Sequence, residues 1–269
     1  MLVKKQFKKD ISSLIEKYSS DKNGDTFTKE DFAHLPVTIQ KYIENCGYIG
    51  KTKMSFMKME YKNVDFSQGK DGPILKIDYT QYNFVKEPCR MAFIDSSLFC
   101  IPFEGYDYYQ DGVGGMKGVI AKFITLFNQT GPEMNKACLA TFLAECLFAP
   151  TILLQDYITF EEINEFEIQA VIKYKEQTAS GIFTFNKDYE MISFTTKDRT
   201  IAEKDGSMTK MPWSALCSDY KLFENGLKQP TKFQAVWNYP DKDFVYFDGS
   251  IHKISYDYDY NQQQQLKII

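Results

Sequence analysis

The apolar positions of the first eighteen residues recur at helical spacing. Phe7, Ile11, Leu14 and Tyr18 share one face and lysines occupy another, which predicts a helix over residues 2–18. Ser19 to Asp25 is polar and reads as a loop. Thr28 and Asp31 resemble a capping box with aspartate in the usual glutamate place. A second helix is expected through Ile39, Tyr42 and Ile43 to Gly47, with Pro36 at or just before its first turn.

After Gly50 the period falls to two. Met54, Phe56 and Met57 to Tyr61 suit a strand, and Leu75, Ile77 and Tyr79 alternate with Lys76, Asp78 and Thr80. Met91 to Ile94 and Leu98 to Phe103 are further apolar runs. Glu104 to Gly115 is acidic, aromatic and glycine-rich, and residues 116–128 are expected to be helical. Gly131, Pro132 and Glu133 suit the N-cap, N1 and N2 positions of the next helix. That helix is apolar on nearly every face through Phe148 and stops before Pro150, so it should be buried.

From residue 157 the pattern is again that of strands. Phe166, Ile168, Ala170, Ile172 and Tyr174 give the clearest alternation. Gly181–Phe185, Met191–Phe194, Phe233–Trp237 and Phe244–Phe247 look similar, as does the final run of His252, Ile254, Tyr256, Tyr258 and Tyr260. Asn225-Gly226, Asp205-Gly206 and Asp248-Gly249 are expected to be turns. No repeat or linker divides the chain. One domain over 1–269 is expected, with an N-terminal helix and loop at 1–25 and a frayed tail at 261–269 that contains Gln262 to Gln265. The fold class is α+β: a large, curved, half-barrel-like antiparallel sheet packed on a buried central helix at 132–148, with helices at the N-terminus.

Composition strengthens the β reading. Phe, Tyr and Trp make up 16% of the chain, and such side chains favour half-buried pleated surfaces. A net charge of −4 gives no support to nucleic-acid binding. Nearly all basic charge is lysine; Arg90 and Arg199 are the only arginines, and an arginine fork suits a fixed anionic partner. The six cysteines form no C-x-x-C pair and several sit in apolar runs, so they read as buried thiols in a reducing, cytoplasmic setting. His34 and His252 are the only histidines, which removes most zinc sites and histidine-based triads. No metal and no cofactor is expected. The N-terminal lysines precede no apolar signal region, and no apolar run reaches the ~18 residues of a membrane span. A basic amphipathic helix at 2–18 could lie on a membrane surface, but docking on its own domain is preferred.

Several motifs fail on inspection. Gly50-Lys51-Thr52 lacks the P-loop's first glycine, because Asn45 stands there, and it follows a helix instead of a strand. Asp21-Lys-Asn-Gly-Asp25 opens like a calcium loop, yet Thr26 and Phe32 occupy the positions that need glycine and a bidentate carboxylate. A solvated loop is the preferred reading, and calcium stays open. Gly112 to Gly118 lacks the final glycine of a dinucleotide loop. Its glycines either permit positive φ in a strand-to-helix turn or form, with Asp107, Tyr108 and Asp111, the mouth of a cavity. Glu145 is the only charged residue between Lys136 and Asp156, in the most apolar helix. Pairing with Arg90 or Arg199 is the first account, exposure at the helix edge the second, and a pocket acid the third.

The order of features resembles a family of uncharacterised, mostly bacterial proteins grouped as a domain of unknown function. The matching pieces are Leu35-Pro36 through Tyr42 and Gly47, Tyr106-Asp107-Tyr108 with Gly112 and Gly114-Gly115-Met116, and Leu143-Ala144-Glu145 through Pro150. Asp198-Arg199, Met211-Pro212-Trp213, Pro230 and Trp237 complete them, over roughly residues 30 to 258. Phe160 stands where that family commonly has tryptophan. The resemblance implies one domain and no established activity. By fold-level analogy, the layout is similar to the half-barrels that carry lipids or lipoproteins.

Three functions follow as expectations. The first is a binding protein that holds an apolar or amphipathic small molecule on the concave face through Tyr106, Asp107, Tyr108, Met116, Glu145, Arg199, Trp213 and Trp237. The second is a hydrolase-like enzyme using Asp107, Glu145 and Arg199. The third is a protein-interaction module whose final Tyr-Asp strand serves as an edge.

Overall fold

The computed structural model describes residues 2–19, 24–67, 69–70, 72–98, 101–202 and 208–259. Helices α1 (Val3–Ser19) and α2 (Val37–Asn45) precede six strands: β1 (Phe56–Ser67), β2 (Ile74–Phe84), β3 (Cys89–Leu98), β4 (Ile101–Gln110), β5 (Val113–Ile120) and β6 (Ile124–Thr130). Helix α3 (Pro132–Ala144) and two 3-10 turns, Cys146–Phe148 and Pro150–Leu154, lead into the second run of strands. These are β7 (Ile158–Asn164), β8 (Glu167–Tyr174), β9 (Gln177–Phe185), β10 (Met191–Thr196), β11 (Thr200–Ala202) and β12 (Met208–Lys210). They continue through β13 (Trp213–Ser218), β14 (Lys221–Leu222), β15 (Lys228–Gln229), β16 (Lys232–Trp237) and β17 (Phe244–Tyr256).

Among the described residues, thirteen strands form one sheet in the order β6-β5-β4-β3-β2-β1-β17-β16-β13-β10-β9-β8-β7. Its pairings are all antiparallel. The two halves are successions of neighbouring strands, and β17 returns to join them by pairing with both β1 and β16. The sheet curves around α3, which touches β4, β5 and β6 on one side and β8, β9 and β10 on the other. The two flanks meet at one end of the sheet, where Tyr109 Oη on β4 donates to Gln177 Oε1 on β9 at 3.2 Å. The expected α+β half-barrel around a buried helix is therefore the observed architecture.

α3 begins where its cap residues predict, with Gly131 at the N-cap, φ +118°, and Pro132 at N1. It ends sooner than expected. The last α-helical residue is Ala144, and a 3-10 turn completes the apolar segment before Pro150. Proline disfavours helical backbone in the residue before it, and the tighter turn lets the chain leave the helix without stranding Glu145. Every residue from Ala137 to Ala149 except Thr141 is buried.

The helix expected at 116–128 is a correction: these residues form most of β5 and β6. Asp111 and Gly112, both at positive φ (53° and 82°), make a two-residue hairpin between β4 and β5. The following glycines stay extended and make no strand-to-helix turn. Gly118 faces Phe127 across the ladder, and a Cβ on it would lie 2.4 Å from that ring. Gly115 lies similarly beneath the Tyr108 ring. Glycine here makes room for aromatic rings across the strand, while in a helix each would cost about 1 kcal/mol relative to alanine.

Asp248-Gly249 is a second correction, since both residues lie inside the continuous strand β17. Val64 from β1 packs over Gly249, where a Cβ would approach within 2.6 Å. The terminal strand also does not form an edge. β17 is central, and β6 and β7 are the edges. Thr28 and Asp31 do cap each other, with Thr28 N donating to Asp31 Oδ2 at 2.7 Å, but they open a 3-10 turn at Glu30–Phe32 instead of α2. Asn225-Gly226 turns between β14 and β15 as expected. Asp21 to Asn23, Cys100, Asp205-Gly206, Tyr260 and Gln262 to Gln265 lie outside the described residues.

The apolar stripe of α1 is used within the molecule. Val3, Phe7, Ile11, Leu14 and Tyr18 pack with Tyr82, Phe84, Met91, Phe93 and Tyr106 on the convex face, in a cluster separate from the main core. No described helix is long and apolar enough to cross a membrane.

Candidate ligand-binding site

Alternation along the strands sets one row of each on the concave face. Tyr79 and Gln81 of β2, Arg90 and Ile94 of β3, Asp107 of β4 and Met116 of β5 face a cavity of about 340 Å³. Phe127 of β6, Thr141 of α3, and Trp213, Phe233, Trp237 and Phe247 of the second half complete much of its wall. Its size falls at the lower end of the ~300–1,000 Å³ common for small-molecule pockets.

Arg90 organises the polar wall. Its Nε donates to Glu145 Oε2 at 2.9 Å, its Nη1 to Asp107 Oδ2 at 2.6 Å and its Nη2 to Tyr79 Oη at 2.6 Å. Asn83 Nδ2 donates to Glu145 Oε2 at 2.7 Å, and Gln81 Nε2 donates to Asn83 Oδ1 at 3.1 Å. The side chains of Arg90 and Glu145 are 4% and 7% exposed. Burial disfavours the guanidinium charge, but the neighbouring Glu145, Tyr79 and Asp107 outweigh it and hold Arg90 protonated. Burial also pushes the Tyr79 hydroxyl and the Cys138 thiol upward, so both stay neutral at physiological pH. Cys138 Sγ lies 3.8 Å from Asp107 Oδ1 and is no ready thiolate.

Arg199 is held differently. Its Nη1 donates to Thr141 Oγ1 at 2.9 Å, and its guanidinium carbon lies 4.5 Å and 5.2 Å from the ring centroids of Trp213 and Trp237. These tryptophans face each other on β13 and β16. Trp213 Nε1 donates to Tyr246 Oη at 3.0 Å, and Trp237 stacks on the Tyr246 ring.

Of the residues expected to bind a ligand, the fold brings Asp107, Met116, Glu145, Arg199, Trp213 and Trp237 to this one cavity. Tyr106 and Tyr108 lie elsewhere. They flank Asp107 in a pleated strand, so their rings emerge on the convex face under α1. There Tyr106 Oη donates to Asp10 Oδ2 at 2.7 Å. The hydrolytic trio is only partly assembled: Asp107 and Glu145 converge on Arg90, while Arg199 bonds neither of them. Glu145 thus takes its first expected role, as the partner of Arg90. Tyr79, Gln81 and Asn83 join the site without any motif in the sequence that marks them. Their signal was the inward row Leu75, Ile77, Tyr79, Gln81, Asn83, in which polar side chains continue an apolar stripe.

Other motifs resolve simply. Gly50 follows α2 and precedes β1, in the reverse of the order a P-loop requires. Among the described residues, no group of three or more histidine, cysteine, aspartate or glutamate side chains is placed to hold a metal ion.

A family model described as a family of unknown function (DUF6544) matches residues 25–249. No curated protein matches the chain. Among solved structures, a domain from Vibrio parahaemolyticus described as an outer membrane lipoprotein-sorting protein is similar at 8% identity, covering 84% of this chain and 96% of that one, with a TM-score of 0.43. A DUF1329 family protein from Desulfovibrio piger is similar at 12% identity, covering 82% and 92%, with a TM-score of 0.41.

Proposed function

The chain belongs to this family of unknown function, which supplies neither reaction nor ligand, and from the site itself we propose that it binds an apolar or amphipathic small molecule on the concave face of its sheet. The observation that carries this reading is the cavity of about 340 Å³, whose wall sets aromatic rings beside polar groups and which α3 leaves unfilled. The cavity is partly open, so a small molecule can enter it from solvent without the sheet coming apart. Its rings suit the apolar part of a ligand, and polar groups such as Arg90, Asp107 and Arg199 suit the anchoring of its orientation.

Ala235 is buried in the cavity wall, and a larger side chain there would project into the space. The reading is tested with Nile red, a neutral dye whose fluorescence rises in apolar surroundings. The wild-type chain should bind it saturably, and Ala235→Phe should weaken binding about tenfold or more while keeping the circular-dichroism spectrum. Native mass spectrometry after gentle purification should show added mass that denaturation removes. Absence of saturable dye binding, or equal binding by the filled variant, would count against a ligand cavity.

A further inference from the structure

We infer that the occupant of this cavity is an amphiphile with an anionic oxyacid head, carboxylate or phosphate, and that Arg199 receives that head. The inference rests on the ligand-binding reading above and specifies its chemistry. The two arginines of the cavity are in opposite electrostatic states. Arg90 is met by two carboxylates, a phenol and an amide oxygen. Among the described residues, Arg199 has no carboxylate partner, and the Thr141 hydroxyl is the one acceptor of its side chain.

A second observation lies in the same wall. Among the described residues, Arg199 Nε and Thr200 Oγ1 are buried without a hydrogen-bond partner, and both residues line the cavity. Adjacent polar groups short of acceptors are costly unless something arrives to complete them. Asp198 does not meet the charge, because its carboxylate takes Lys136 at 2.6 Å and the Ser180 amide at 2.8 Å. The tryptophans beneath Arg199 hold the guanidinium in place by cation–π attraction, which uses none of the N–H donors left over from the Thr141 bond. A planar fork fixed on a rigid platform suits a two-oxygen anion, since little side-chain freedom is lost on binding. The aromatic wall beyond it would take the apolar body of the same molecule.

The experiment measures displacement of Nile red by decanoate, decyl phosphate and 1-decanol, each below its aggregation limit. In the wild type, at least one anion should bind about tenfold or more tightly than the alcohol. Whichever of the two acids binds better identifies the head. Arg199→Met keeps an apolar stem on the tryptophans and removes the charge; it should erase the preference for acid while leaving decanol affinity within about twofold. Arg199→Lys keeps the charge without the fork and should retain part of the preference. Equal affinity for acid and alcohol in the wild type, or a preference that survives Arg199→Met, would overturn the inference while leaving the cavity reading intact. If the dye itself does not bind, both readings fall together.

Discussion

At the scale of single residues, the decisive fact is how Glu145 is neutralised. A carboxylate in an apolar segment must find a partner, and the Arg90 Nε–H supplies one, shared between both oxygens of Glu145. Removing one member of such a buried pair leaves the other uncompensated. Glu145→Ala should therefore destabilise the protein by about 3–5 kcal/mol, read from urea unfolding. Joint replacement, Arg90→Met with Glu145→Leu, should cost clearly less than the sum of the single changes. A loss below ~1 kcal/mol for Glu145→Ala would show that the pair is not buried as described. The need for a partner was legible in the sequence. The choice was not, because Arg90 and Arg199 lie almost equally far from Glu145 along the chain, and only the strand pairings decide which reaches it.

At the scale of elements, the glycines carry the argument. Gly181 on β9 lies beneath the Phe194 ring of β10, and a Cβ there would come within 2.1 Å of it. Gly181→Ala should shift the ring and cost about 1–3 kcal/mol, visible as a lowered melting temperature. An unchanged melting temperature would show that Phe194 moves aside freely. Helix α1 offers a second test. Phe7 stacks with Phe93 at 5.5 Å and meets Tyr106 edge-on at 6.0 Å. Phe7→Ala should cost about 3–5 kcal/mol if α1 is integral to the fold. A negligible loss would instead mark α1 as loosely held. The start of α3 and the capping pair at Thr28 were readable because caps are local chemistry. The β5–β6 hairpin is not legible as strands, because the glycines of β5 have no side chain to display the period that defines a strand.

At the scale of the molecule, burial of tyrosine couples folding to alkaline pH. Tyr42, Tyr48 and Tyr256 are fully enclosed, and burial raises each hydroxyl above its ordinary value of about 10. The folded protein then holds protons that the unfolded chain releases. The associated stability is complete below about pH 10 and is lost as pH rises from there toward the folded values. Melting temperatures should fall with increasing steepness once the pH passes about 10, the buried thiols adding a loss that starts near pH 9, and tyrosinate absorbance from these residues should appear together with unfolding. Titration of all tyrosines near pH 10 with native circular dichroism intact would contradict this burial.

The sequence alone determined the α+β class, the buried helix between two runs of strands, the docked amphipathic α1 and the need of Glu145 for a counter-charge. Each is a local property, set by periodicity, cap residues or the cost of placing charge among apolar neighbours. Only the tertiary structure decided which side of β4 faces inward, so that Asp107 reaches the cavity while Tyr106 and Tyr108 turn away from it. It also decided that β17 sits at the centre of the sheet and that one arginine is neutralised while the other keeps free donors. These outcomes depend on register and on contacts between residues far apart in the chain. Alternation reveals that two faces exist, but which face encloses the cavity is fixed only when the sheet curves around α3.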